Sequence, residues 1–209
     1  MLINYEDVLS DLNEKSRKAL ISRAEQIVLD SELDRLTEEI MATRQALKLE
    51  NADKQFLYNR AGCLATRLES IKNKRKSLGD IGNKLRIERL VGATEKLSPR
   101  RLKIPAELGE DRNSTPLNIH DLSKMDCSDL KQHLEQEIEA MERCIGSIDN
   151  AIRELRNKET ELRARYDINS LSRSRYVAQR DDIRRETEIL ETCVELAKHS
   201  LAQAKHVLS

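Results

Sequence analysis

Apolar side chains recur along the first half of the chain at alternating intervals of four and three residues. From Leu29 the series runs Leu33, Leu36, Ile40, Thr43, Leu47, Glu50, Lys54, Leu57, Ala61, Leu64, Leu68, Ile71, Arg75, Leu78, Gly82 and Leu85. A 3.5-residue period held this long is the mark of a coiled-coil seam, because a lone helix with 3.6 residues per turn drifts off it. Leu20, Ala24 and Ile27 lie upstream and out of phase, which predicts a stutter or a separate short helix. Asn4, three residues before Asp7, predicts a cap at the start of this arm.

The second half repeats the pattern without a break. Its seam runs Leu134, Ile138, Met141, Ile145, Ile148, Ile152, Leu155, Glu159, Leu162, Tyr166, Asn169, Arg173, Tyr176, Arg180, Ile183, Thr187, Leu190, Val194, Ala197, Leu201, Ala204 and Leu208. Isoleucine at a and leucine at d favour two strands in parallel pairs. Residues 167–174 read Asp-Ile-Asn-Ser-Leu-Ser-Arg-Ser, rich in weak helix formers, and predict a hinge.

Pro99, Pro105 and Pro116 are the only prolines. Proline breaks helix interiors, so they divide the chain into an N-terminal helical arm (1–91), a Pro/Gly/polar connector (92–117) and a C-terminal coiled-coil arm (118–209). The predicted fold is all-α: an elongated coiled coil of two long arms, folded as an antiparallel hairpin and packed with partner helices. The apolar members of the two seams, Leu29 to Ile71 and Leu134 to Leu201, are the residues expected to meet partner helices.

Composition sharpens this picture. The 209 residues are 35% charged and 2% aromatic, with no Trp and 6 Gly. So few aromatics cannot build a thick globular core, whereas narrow Leu/Ile seams need none. Lys+Arg and Asp+Glu number 37 each, yet the charge is unevenly placed. Residues 67–103 carry about +8 and residues 104–150 about −7. A reversal near residue 105 sets these blocks against each other and puts Lys54 opposite Glu159. The basic block suits acidic surfaces, but its own acidic neighbour is the first claimant. Zero net charge and a basic block without aromatics argue against direct nucleic-acid binding. No apolar run is long enough for a transmembrane segment. The N-terminus lacks a signal-peptide pattern, and the scattered cysteines suit a reducing compartment.

No phosphate-binding loop, nucleophile elbow or metal-ligand motif occurs. Catalytic residues, cofactors and metals are therefore not expected, and His199 and His206, seven residues apart, read as solvated. The connector holds the sharpest short motifs. Ser98-Pro99-Arg100-Arg101 is a proline-directed kinase pattern, overlapped by the cyclin-docking-like Arg100-Arg101-Leu102-Lys103-Ile104. Thr115-Pro116 is a second minimal site. Ser98 and Thr115 are the expected phosphorylation sites.

Two charged seams joined by such a connector resemble the small coiled-coil subunits of eukaryotic complexes: the augmin complex of the spindle, outer-kinetochore complexes and vesicle-tethering complexes. The resemblance is one of architecture and transfers no functional residue. It implies a non-catalytic scaffold acting in mitosis at the spindle or kinetochore, cytoplasmic and cytoskeletal or nuclear. Other coiled-coil proteins would be its partners in an obligate hetero-oligomer, with indirect microtubule association and no small-molecule substrate. Two alternatives stay open: a subunit of a vesicle-tethering or membrane-curvature complex, and a stand-alone homodimeric rod.

Overall fold

The computed structural model describes residues 3–49, 51, 53–78, 85–97 and 127–208. Every regular element among them is helical: α1 (Tyr5–Val8), α2 (Glu14–Ala46), α3 (Lys54–Ser77), α4 (Arg86–Leu97), α5 (Cys127–Asp167) and α6 (Arg173–Leu208). They belong to two compact units, Ser22–Ile81 and the pair of segments Met1–Ile21 and Gly82–Ser209.

Short polar side chains start the helices. The Asn4 side chain accepts from the Glu6 amide at 3.2 Å, and Asn13 accepts from the Ser16 amide at 2.9 Å. Asp53 does the same for the Phe56 amide at 3.0 Å. Each cap satisfies a donor that the first helical turn leaves open. At the other end of α3, Lys74, Arg75 and Lys76 sit where the helix dipole favours cations.

In the unit Ser22–Ile81, α2 and α3 form an antiparallel hairpin. The helix α2 tightens at its end, with the Lys48 amide donating to Gln45 and the Leu49 amide to Ala46, both at 3.1 Å. Leu29, Leu36, Leu64 and Ile71 form the buried centre, flanked by Leu33, Ile40, Leu68 and Leu78. Ion pairs fix the register: Arg60 to Glu39 at 3.7 Å, Arg67 to Glu32 at 2.7 Å and Arg75 to Asp30 at 2.6 Å. The seam expected as one unbroken stripe from Leu29 to Leu85 is thus folded upon itself. Leu47 and Leu57, near the reversal, are only half-buried.

In the other unit, α5 and α6 run antiparallel across the turn 168–172. Asn169 takes a left-handed conformation, φ 55°. The Ser170 amide then donates to the Arg165 carbonyl at 3.0 Å and the Asn169 amide to Tyr166 at 2.9 Å. This is a Schellman ending, with asparagine in the place that glycine usually takes. Glu142–Lys205 (2.7 Å), Arg156–Glu191 (2.9 Å) and Glu159–Arg184 (3.3 Å) set the register. That register brings Leu155 level with Leu190, and Leu162 level with Ile183. Glu159, expected opposite Lys54, is therefore paired with Arg184.

Helix α4 lies against both α5 and α6, and α1 touches α5. Leu85, Ile87 and Leu90 are buried, as are Leu9, Leu12 and Leu20 from the N-terminal segment. A polar seam ties them together: the Arg86 amide donates to Ser16 Oγ at 3.1 Å, and Glu88 accepts from the Leu85 amide at 3.1 Å and from Ser200 Oγ at 3.2 Å. Helix α4 continues through Gly92 as far as Leu97, into the segment expected as connector. The expected reversal near residue 105 lies outside the described residues.

Candidate helix-docking groove

The expected seam residues divide by what covers them. Leu134, Ile138, Met141, Ile148, Ile152, Leu155, Leu162, Ile183, Leu190, Val194 and Leu201 are buried, and Ile145 is half-buried. These side chains sit in a bundle made by the chain itself, because a five-residue turn makes α5 and α6 neighbours and α4 packs on them. Leu85, the last residue of the first seam, is buried there, and so are Ile87, Leu90 and Leu130, which neither seam includes.

The α2/α3 hairpin differs. Leu29, Leu36, Leu64 and Ile71 are buried, but Leu33, Ile40, Leu47, Leu57 and Leu68 stay half-exposed. Along this hairpin runs a groove of about 390 Å³, lined by Ile40, Arg44, Ala61, Ala65, Leu68, Glu69 and Lys72. Met41 precedes Arg44 by three residues and Tyr58 precedes Ala61 by three, so each shares a helix face with the groove lining. They are 56% and 63% exposed. Ala61 and Ala65 keep the α3 side of the groove low, which leaves room for another backbone.

Charge frames the groove. Arg44 and Lys72 are exposed cations among the lining residues, against the single acid Glu69. The lining therefore joins an apolar floor to a rim with more positive than negative charge.

Compared with protein-family models, curated proteins and solved structures, the chain matches none. Its functional reading therefore rests on its own surfaces.

Among the described residues, no three His, Cys, Asp or Glu side chains are grouped to hold a metal ion. None of the described helices is long and apolar enough to cross a membrane. Cys144 is buried, and that burial pushes its thiol up to about 12, further raised by Asp11 and partly offset by Arg17. Such a thiol is a packing group rather than a nucleophile. Glu137 is also buried, and desolvation raises its carboxyl despite Arg86 at 3.1 Å. Ser98 and Thr115 lie outside the described residues.

Proposed function

We propose that this chain is a non-catalytic scaffold subunit of a eukaryotic multi-protein complex, joined to another coiled-coil protein through the α2/α3 groove. The observation that carries the reading is the incomplete layer there. Half-exposed Ile40 and Leu68, exposed Met41 and Tyr58, and the low Ala61/Ala65 wall leave apolar surface that a third helix would cover. Arg44 and Lys72 favour an acidic flank on that helix. A spindle or kinetochore setting in mitosis, with indirect microtubule association, rests on the proline-directed motifs at Ser98 and Thr115 and on the two-arm organisation.

A photo-cross-linking residue placed at Ala65 in the full chain tests the docking. The expected product joins Ala65 to one face of an amphipathic helix in a co-purifying subunit, and Ala61→Arg abolishes it while helical content stays constant. Cross-links only between copies of this chain, with a dimer in light scattering, would convert the reading to a homodimeric rod. An intact complex carrying Ala61→Arg and no cross-link at Ala65 overturns it.

A further inference from the structure

The turn end of the α5/α6 hairpin is built differently from its shaft. Along the shaft, arginines and lysines are matched across the two helices, as in Arg156–Glu191, Arg184–Glu159 and Lys205–Glu142. From Arg163 to Arg175 the chain carries four arginines and one acid, Asp167. Asp167 lies 4.0 Å from Arg163. Arg165, Arg173 and Arg175 are exposed, and no acidic side chain pairs with them among the described residues. The first turn of α6 contains no acidic residue either.

These three cations are held on a fixed frame. The rings of Tyr166 and Tyr176 stack with centroids 4.4 Å apart and planes 18° from parallel, pinning the two helix ends together. Arg165 and Arg175 each precede one of those tyrosines, so they stand at the same level on neighbouring helices. Arg173 opens α6 beside the turn. Packed helix axes lie about 8–10 Å apart, and alternate residues of an extended chain are about 7 Å apart. Flexible arginine stems rooted at this backbone spacing can reach carboxylates of a strand laid across the turn, each guanidinium fork offering two hydrogen bonds. Ile168, 74% exposed, adds an apolar contact at the turn's crest.

We propose that the α5/α6 turn docks an acidic peptide segment through Arg165, Arg173 and Arg175. Protein is favoured over nucleic acid because most of the aromatic surface is already occupied. Tyr166 and Tyr176 cover one face of each other, and the Arg180 guanidinium lies 5.8 Å from the Tyr176 ring centre, so a base is left at most the outer face of Tyr166, short of the successive stacking platforms that single strands use. A bilayer is disfavoured because one fully projecting apolar side chain makes a weak anchor. This inference is independent of the α2/α3 groove, which lies in the other unit.

Fluorescence anisotropy of the full chain with a fluorescein-labelled octaglutamate peptide tests it. Binding is expected at low salt and should weaken steeply with added NaCl. The triple variant Arg165→Glu/Arg173→Glu/Arg175→Glu should lose at least about ten-fold in affinity, and the matching triple lysine variant about two- to five-fold, since lysine keeps the charge but not the fork. Lys198→Glu, exposed on α6 about twenty-five residues from Arg173, should change little. Arginine labelling by phenylglyoxal, read by mass spectrometry on the unmutated protein, should slow at these three positions when peptide is present. Unaltered affinity in the triple glutamate variant, no protection of the three arginines, or tighter binding of oligothymidylate or phosphatidylserine vesicles would each overturn the proposal.

Discussion

Truncating two leucines of the same heptad pattern should have very different consequences. Leu155 is fully buried in the α5/α6 hairpin, whereas Leu68 is half-exposed beside the α2/α3 groove. Leu→Ala removes three carbons, worth about 2.4 kcal/mol at ~0.8 kcal/mol each, and an unrelaxed cavity raises the total to about 3–4 kcal/mol. Leu155→Ala should therefore cost about 3 kcal/mol and lower the melting temperature by about 6–12 °C for a chain of this size. Leu68 starts partly in water, so Leu68→Ala should cost only about 1–1.5 kcal/mol in the isolated chain. With the partner helix bound, Leu68→Ala should lose a further increment that Leu155→Ala does not show. Urea unfolding followed by circular dichroism gives the totals. Hydrogen exchange with mass spectrometry locates the loss, in α5/α6 peptides for the first variant and in α2/α3 peptides for the second. Equal costs at both positions, or unchanged exchange in α5/α6 after Leu155→Ala, would refute the assignment of one seam to the interior and the other to a partner.

Other expectations follow from single residues. Gly146 lies inside α5, and a methyl group added there would meet nothing within 4 Å, so Gly146→Ala should stabilise by about 0.5–1 kcal/mol in urea titrations. Asn169→Ala should cost about 1–2 kcal/mol by forcing alanine into the left-handed region, while Asn169→Gly should be neutral or stabilising. At pH 8, iodoacetamide should modify exposed Cys63 well before buried Cys144, whose thiol is pushed up to about 12; denaturant should erase the difference in the mass spectrum. Glu137 holds its proton more tightly folded than unfolded because desolvation outweighs Arg86. Stability should therefore fall as pH rises from the ordinary glutamate value of 4.5 through the raised folded value. Glu137→Gln should remove that slope, so urea midpoints of variant minus wild type should climb between pH 4 and pH 7.

The helical class was legible in the spacing of apolar residues and in the scarcity of proline and glycine. The positions of the reversals were not, because a heptad count registers which face is apolar and not which helix covers it. The 4-3 spacing passes through both turns without losing phase. A signal was nonetheless present. Polar residues occupy consecutive seam positions at Glu50 and Lys54, and again at Asn169 and Arg173, and these pairs straddle the ends of α2/α3 and α5/α6. Asn169 also supplies the left-handed residue that a Schellman ending needs. Helix α4 escaped because twelve residues containing Gly92 hold too few repeats to show a period. The α2/α3 groove was invisible for a different reason: it depends on Ala61 and Ala65 meeting Ile40 across a turn that the period does not reveal.

Short reversals also account for where the charge goes. Turns of seven residues between α2 and α3 and five between α5 and α6 cost little loop entropy, and they pair segments only tens of residues apart. The acidic stretch of α2 thereby reaches α3 first, and Asp30, Glu32 and Glu39 take Arg75, Arg67 and Arg60. Farther along the basic block, Arg86 finds Glu137. Neutralisation by the chain itself is thus mostly local and leaves residues with no counterpart inside the hairpin that carries them. Arg44 and Lys72 frame a groove with one acid, and Arg165, Arg173 and Arg175 crown a turn without an acidic partner among the described residues. Exposed ion pairs contribute little to stability, each about 0–1 kcal/mol, so selection for folding alone exerts weak pressure on how such cations are placed. Their concentration beside apolar side chains, Met41 and Tyr58 at one surface and Ile168 at the other, is what association with acidic, partly apolar partners requires.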